Sequence, residues 1–156
     1  MDNIIQELIT RAAKLIQSKT DYIGEGDKEG MEGYAVLTLN DENNYPVSSV
    51  VTISKADGIK WLTFLTEVNS NKAKRIAHSN KACVCLASSE YLISLVGTAE
   101  ILTDPEIKKE HWQEVVTKYY GTDWQNPEWC VLRFNTERYN IFFADMGDDV
   151  EAKGTL

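Results

Sequence analysis

Three β-favouring runs follow one another with only short polar turns between them, and this succession limits the possible folds sharply. Tyr34 to Asn40 is apolar and β-prone, and Asp41-Glu42-Asn43-Asn44 turns the chain into Pro46 to Ile53. Lys55-Ala56-Asp57-Gly58 ends in Asp-Gly, a strong turn signal, and leads into Ile59 to Leu65. Two-residue to five-residue connections join antiparallel neighbours, whereas parallel strands need a long crossover. The first half of the chain therefore predicts an antiparallel meander.

The remaining elements extend that pattern. Residues 3–19 place Ile4, Ile5, Leu8, Ile9, Ala12, Leu15 and Ile16 at helical spacing, followed by a glycine-rich polar connection over 20–33. A short helix is expected from about 70 to 78, and strands over Lys81 to Ala87 and Tyr91 to Leu102, with Gly97 as a bulge or close-approach point. Thr103-Asp104-Pro105-Glu106 reads as a helix start, with Glu three residues after Thr103 and an early proline. Ile107, His111, Trp112, Val115, Val116 and Tyr119 then fall on one helical face, and Tyr120-Gly121 closes the helix. Trp129 to Phe134 and Tyr139 to Phe143 suggest a last hairpin across Asn135-Thr136-Glu137-Arg138, with a frayed tail over 146–156.

The tally is about six or seven strands and three helices in one domain over residues 1–156. Alternating β-α-β units are absent, which argues against a Rossmann sheet. The expected class is mainly β (α+β), an antiparallel barrel with peripheral helices.

Composition narrows function. A net charge of −8 disfavours a general nucleic-acid binder, and no apolar run reaches the roughly 20 residues of a membrane span. The amino terminus does not resemble a signal peptide, so a cytoplasmic location is expected. Three cysteines, Cys83, Cys85 and Cys130, make no zinc pattern and suit a reducing compartment. Glu25, Asp27, Glu29 and Glu32 lack calcium-loop order, so no metal site is expected.

One charge is out of place. The strand ending at Leu65 meets Thr66-Glu67-Val68-Asn69-Ser70-Asn71-Lys72, and the helix is capped by Asn69 or Ser70. A lysine in the first turn faces the positive end of the helix dipole, a cost of up to about 1 kcal/mol. An anion held by the free N–H groups, the Thr66 and Ser70 hydroxyls and the Lys72 ammonium removes that cost, and phosphate fits. The cluster Lys72, Lys74, Arg75 and Lys81 is equally compatible, on charge alone, with a solvated helix face.

The ordered set strand, Thr66-x-x-x-Ser70-x-Lys72, helix, Val96-Gly97-Thr98-Ala99-Glu100, then Thr103-Asp104-Pro105-Glu106 resembles the flavin-binding split-barrel superfamily of pyridoxamine 5′-phosphate oxidases. Cys130 to Phe134 and Thr136 to Asn140 are similar to its general-stress-protein-26-like members. The resemblance spans about residues 30–144. It implies a split-barrel homodimer with two flavin mononucleotide (FMN) sites at the interface. It also implies that the strand carrying Ser48, Ser49, Val50, Val51 and Thr52 lies along the flavin ring, and that Thr66, Ser70, Asn71 and Lys72 bind phosphate. Trp129 lies in a late region that in this family approaches the partner subunit's flavin.

Departures from the family pattern bear on activity. Full oxidases carry an Arg and a Lys where this chain has Ser49 and Ser54, and the basic pattern gripping pyridoxamine phosphate is missing. Vitamin B6 synthesis is therefore not the expected role. A flavin-dependent oxidoreductase acting on a small redox substrate is expected, without an assigned catalytic side chain, because the flavin carries the redox chemistry. The alternatives are a non-catalytic flavin-binding stress protein, and a barrel that has lost flavin and serves as an interaction module. Haem or deazaflavin F420 are further ligands of the superfamily.

Overall fold

In β1 (Tyr34–Asn40), Ala35, Leu37 and Leu39 are buried and their neighbours half-exposed, the period-two pattern of a strand with one face on the core. The computed structural model describes residues 2–20 and 34–156. Residues 21–33 of the glycine-rich connection, with Glu25, Asp27, Glu29 and Glu32, lie outside the described residues. β1 pairs along its whole length with β2 (Pro46–Thr52). The Asp41 carboxylate fixes the turn between them by accepting the Asn43 and Tyr45 N–H groups at 2.9 and 3.0 Å.

β3 (Lys55–Asp57) and β4 (Trp61–Glu67) form the next hairpin, with Gly58 at φ +56 in its turn. The expected third strand thus starts at Trp61, and Lys55 to Asp57, expected as turn, is a short strand. α2 (Asn71–His78) follows, then β5 (Lys81–Ala87) and β6 (Tyr91–Leu102) at the expected positions.

The expected hairpin at the end of the chain is corrected. Trp129–Phe143 is one strand, β7, whose first part pairs with β4 while Val131 to Phe143 runs beside β6. Asn135 to Arg138 has turn composition, but long-range bonds hold it extended: the Thr136 N–H donates to the Lys60 carbonyl at 2.9 Å. Opposite this point the register slips between Val96 and Gly97, as a bulge that leaves Glu137 over. A Cβ on Gly97 would overlap the Asn135 carbonyl, so glycine is required there.

The frayed tail is also corrected. Glu151–Thr155 forms β8, which pairs with Arg138 to Phe142 and buries Ala152 completely. β4 occupies the edge of β7 only as far as Asn135, and β8 fills the remainder of that edge.

The expected single helix after Thr103 is two: α3 (Pro105–His111) and α4 (Glu114–Tyr120). Trp112 and Gln113 between them are extended. Side-chain bonds hold the break: Gln113 Nε2 donates to the Ile53 carbonyl (3.2 Å) and Trp112 Nε1 to Thr117 Oγ1 (2.8 Å). The cap of α3 is Asp104, not Thr103, and its carboxylate accepts the Glu106 N–H at 2.8 Å.

The strand order is β2-β1-β5-β6-β7-β4-β3, with β8 on β7. The antiparallel sheet curls until β2, at one end, contacts β4 near the other without pairing. α1 (Asn3–Thr20) packs against β3, β7 and β8, inserting Leu8, Ala12 and Ile16 into the common core. The architecture is the expected split barrel. Its seam between β2 and β4 places the site.

Candidate functional site

A cavity of about 830 Å³ opens at the seam. β2 contributes Val50, Val51 and Thr52, β4 contributes Phe64 to Glu67, and α4 contributes Val115, Val116, Tyr119 and Tyr120. Ser70, Lys72 and Trp129 complete the part of the wall that the sequence singles out.

Of the nine expected cofactor residues, Val50, Val51, Thr66, Ser70, Lys72 and Trp129 line this cavity; Ser48, Ser49 and Asn71 do not. The Ser48 hydroxyl is bonded to Thr38 Oγ1 at 2.8 Å on the outer sheet face. Ser49 pairs with Leu37 and lies on the opposite face. Asn71 is exposed beside the helix cap.

The polar end of the cavity has a defined donor arrangement. Ser70 caps α2, its Oγ accepting the Ala73 N–H at 3.2 Å. Thr66 Oγ1 donates to the same oxygen at 3.0 Å. Both acceptor positions of Ser70 are therefore filled, and its own proton is left to be donated outward. Thr66 orients Ser70 and spends its own proton doing so. The first turn leaves the Asn71 and Lys72 N–H groups without intrahelical carbonyls, and Lys72, half-buried, lines the cavity. Glu67 also lines the cavity, so its polar end is mixed in charge.

The other walls suit an apolar plate with one polar edge. Val51, Phe64 and Trp129 are buried, and Trp129 meets Tyr120 and Trp112 edge-on at centroid distances of 5.2 and 5.7 Å. Among the described residues β2 ends the sheet, so its outward N–H and C=O groups have no neighbouring strand there and face the seam. A phosphate on Ser70 and Lys72 with a flat heteroaromatic ring beside β2 uses these donors and the apolar walls, with Glu67 the one lining group that opposes the anion. The residues fit FMN.

The other singled-out side chains lie away from the cavity. His111 is buried, with Nδ1 2.9 Å from Thr63 Oγ1, and burial holds its pKa below the ordinary imidazole value. His78 is exposed at the end of α2, with Nε2 3.1 Å from Asn44 Oδ1. Trp61 is half-exposed beneath the Arg133 guanidinium, 4.8 Å from the ring centroid. The Cys130 thiol is fully buried, donates to the Thr66 carbonyl at 3.3 Å and is pushed up to about 11 by burial. Among the described residues no His, Cys, Asp and Glu cluster could hold a metal ion, and no helix is long and apolar enough to cross a membrane.

Sequence reasoning missed the α4 residues. The spacing puts Val115, Val116 and Tyr119 on one face of a single long helix with Ile107 and His111; the break at Trp112-Gln113 separates them, and they line the cavity. No local signal marks that break.

The curled sheet and its open seam define a split barrel with a cavity between its sheet ends. Residues 30–147 match the pyridoxamine 5′-phosphate oxidase like family, and the chain belongs to it. A Clostridium acetobutylicum protein related to general stress protein 26 shares the fold, with a TM-score of 0.78, 22% identity and coverage of 100% of this chain and 97% of that one. A pyridoxamine 5′-phosphate oxidase-related, FMN-binding protein of Nostoc punctiforme is similar at a TM-score of 0.61 and 12% identity, covering 97% and 94%. A haem-binding protein of Mycobacterium smegmatis aligns at 0.60 and 16%, covering 90% of this chain and 57% of that one. No curated protein matches the sequence.

Proposed function

We propose that this chain binds FMN in the seam cavity as half of a homodimer, and acts as a flavin-dependent oxidoreductase on a small-molecule substrate. The observation that carries the reading is the constellation Thr66, Ser70 and Lys72, which brings a hydroxyl proton, the free N–H groups of a helix start and a lysine to one cavity wall. The FMN-binding relative from Nostoc punctiforme supports the choice of ligand.

In this reading Ser70 and Lys72 bind the phosphate, and the free edge of β2 offers backbone donors and acceptors to the polar rim of the ring. Trp129, Phe64 and Val51 exclude water from its apolar part. The flavin, when bound, supplies the acceptor for a hydride or electrons.

The position expected to carry a lysine in the full oxidases is here Ser54, buried and bonded to Thr63 Oγ1 at 2.7 Å. It brings no cation to the cavity, which argues against vitamin B6 synthesis. Neither His78 nor His111 lines the cavity, so no imidazole is placed to ligate haem iron.

Two features support the dimer. The outer sheet face runs uncharged through Ser48 and Val50, Thr38 and Val36, Cys83 and Cys85, then Val96 and Ser94, all in directly opposed register. Val50, 53% exposed, belongs both to this face and to the cavity wall. On the same face Asn140 Oδ1 is buried without a hydrogen-bond partner, an acceptor that a second subunit can satisfy. The three free thiols suit a cytoplasmic setting.

The test is anaerobic mixing of the FMN-loaded protein with NADH or NADPH, followed by visible absorption. Bleaching of the flavin bands supports a reductase; a holoprotein that neither donor nor a small reductant bleaches is a flavin carrier or sensor instead.

A further inference from the structure

α4 is a helix of seven residues that buries none of them. So short a helix is not stable in water by itself, and its placement needs explanation. Both of its ends are tied down. The Trp112 indole N–H donates to Thr117 Oγ1 at 2.8 Å and Gln113 Nε2 to the Ile53 carbonyl at 3.2 Å. At the far end Gly121 adopts the left-handed conformation, φ +64, and its N–H bonds the Thr117 carbonyl at 2.9 Å. The first and third of these bonds shape the helix itself, the second fastens its start to the residue after β2, and Val115, Val116, Tyr119 and Tyr120 line the cavity. Positions i, i+1, i+4 and i+5 form one helical face, and here that face is apolar and aromatic.

Tyr119 and Tyr120 remain 63% and 66% exposed, large rings left in water beside a cavity. Trp129, edge-on to Tyr120, backs them. β2 contributes Val50 and Val51 to the wall, and the end with Glu67, Ser70 and Lys72 is polar and mixed in charge. The space between α4 and β2 thus offers two apolar faces to a flat ligand, and its anion site is separate.

We propose that Tyr119 and Tyr120 are flavin-contacting residues, with α4 covering the isoalloxazine ring of the FMN whose phosphate the same subunit binds. The proposal rests on the FMN reading above. It makes each subunit supply both the phosphate site and an aromatic cover for the ring, so that ring and phosphate contribute separately to affinity.

The experiment titrates FMN and riboflavin separately into the wild-type protein, the Tyr119→Ala/Tyr120→Ala double variant, Lys72→Ala and Tyr45→Ala, followed by flavin fluorescence. Both tyrosines are exposed and α4 buries nothing, so the double variant keeps the fold; far-UV circular dichroism and the melting temperature check this. Loss of aromatic stacking is expected to raise the Kd about tenfold for FMN and by the same factor for riboflavin, with brighter bound flavin. Lys72→Ala is expected to weaken FMN alone, because riboflavin has no phosphate. Tyr45, exposed in the β1–β2 turn away from the cavity, is expected to matter for neither. A double variant that binds both flavins as tightly as the wild type overturns the proposal while leaving the FMN reading intact. Failure of the wild type to bind either flavin overturns both.

Discussion

Thr63 Oγ1 stands 2.9 Å from His111 Nδ1, and the bond joins the sheet to the end of α3 at the point where the chain breaks toward the cavity wall. Thr63 also accepts the Lys55 N–H at 3.2 Å and is 2.7 Å from Ser54 Oγ. The Thr63 hydroxyl also reaches the Lys55 carbonyl at 3.4 Å, so the buried imidazole is part of a small polar network that joins β3, β4 and α3.

A pH dependence follows from the burial of that imidazole. Burial lowers the His111 pKa from 6.5, Glu110 opposes the shift, and Lys55 and Arg133 reinforce it. Between the folded and unfolded values the unfolded chain binds more protons, so stability rises with pH through that window. The urea midpoint is expected to fall as pH is lowered below about 6.5. His111→Gln, which cannot titrate, is expected to lose that component of the slope; an unchanged pH profile would count against a buried neutral imidazole.

Ser70→Ala separates two roles in one residue. Losing the cap is expected to cost about 1 kcal/mol of stability, read from denaturant unfolding. Losing the outward hydroxyl is expected to weaken FMN binding several-fold beyond that, with riboflavin affinity unchanged. Thr66→Val removes only the orienting bond at 3.0 Å, so its effect on FMN should be smaller than that of Ser70→Ala.

Gly97→Ala tests the bulge. The new methyl would overlap the Asn135 carbonyl, which is backbone in a paired strand and cannot turn aside. An expected loss of roughly 2–3 kcal/mol, measured by chemical denaturation, reflects the displaced β6–β7 ladder. A variant as stable as wild type would show that the ladder yields there.

Ending the chain after Val150 removes β8 and uncovers the edge of β7 from Arg138 to Phe142. The expected result is a melting temperature several degrees lower, from a loss of at least about 1 kcal/mol, with increased aggregation through the open edge. An unchanged melting temperature would mean that β8 contributes nothing to the fold.

The dimer prediction uses a single charge. Val36→Glu places a carboxylate in the middle of the uncharged face, opposite Val50 on one side and Cys85 on the other. Light scattering is expected to show a monomer for the variant and a dimer for the wild type. A wild-type monomer at micromolar concentration would place the flavin site within one chain.

How much was legible in the sequence depended on the range of the interactions that fix each element. β1, β5, β6 and the start of α2 are set by alternation and capping within a few residues, and their reading agrees with the structure. β7 misled because Asn135 to Arg138 has turn composition, while the bond from Thr136 to Lys60 and the pairing with β6 keep it extended. β8 was hidden for a related reason: Glu151, Lys153 and Thr155 are polar, and only the unfilled edge of β7 makes a strand of them. In the site, Ser70 and Lys72 were legible from helix-terminus electrostatics, whereas Tyr119 and Tyr120 line the cavity on a helix whose start the Gln113–Ile53 bond fastens to the residue after β2. Ser48 and Ser49 were placed by resemblance, and strand alternation and the sheet edge move both off the cavity wall.

The most direct measurement is the visible spectrum of the purified protein after incubation with excess FMN and removal of the unbound flavin. Retained flavin absorption at about one FMN per chain, lost on Lys72→Ala, is the predicted result. A colourless wild-type protein would contradict the assignment of the seam cavity to FMN.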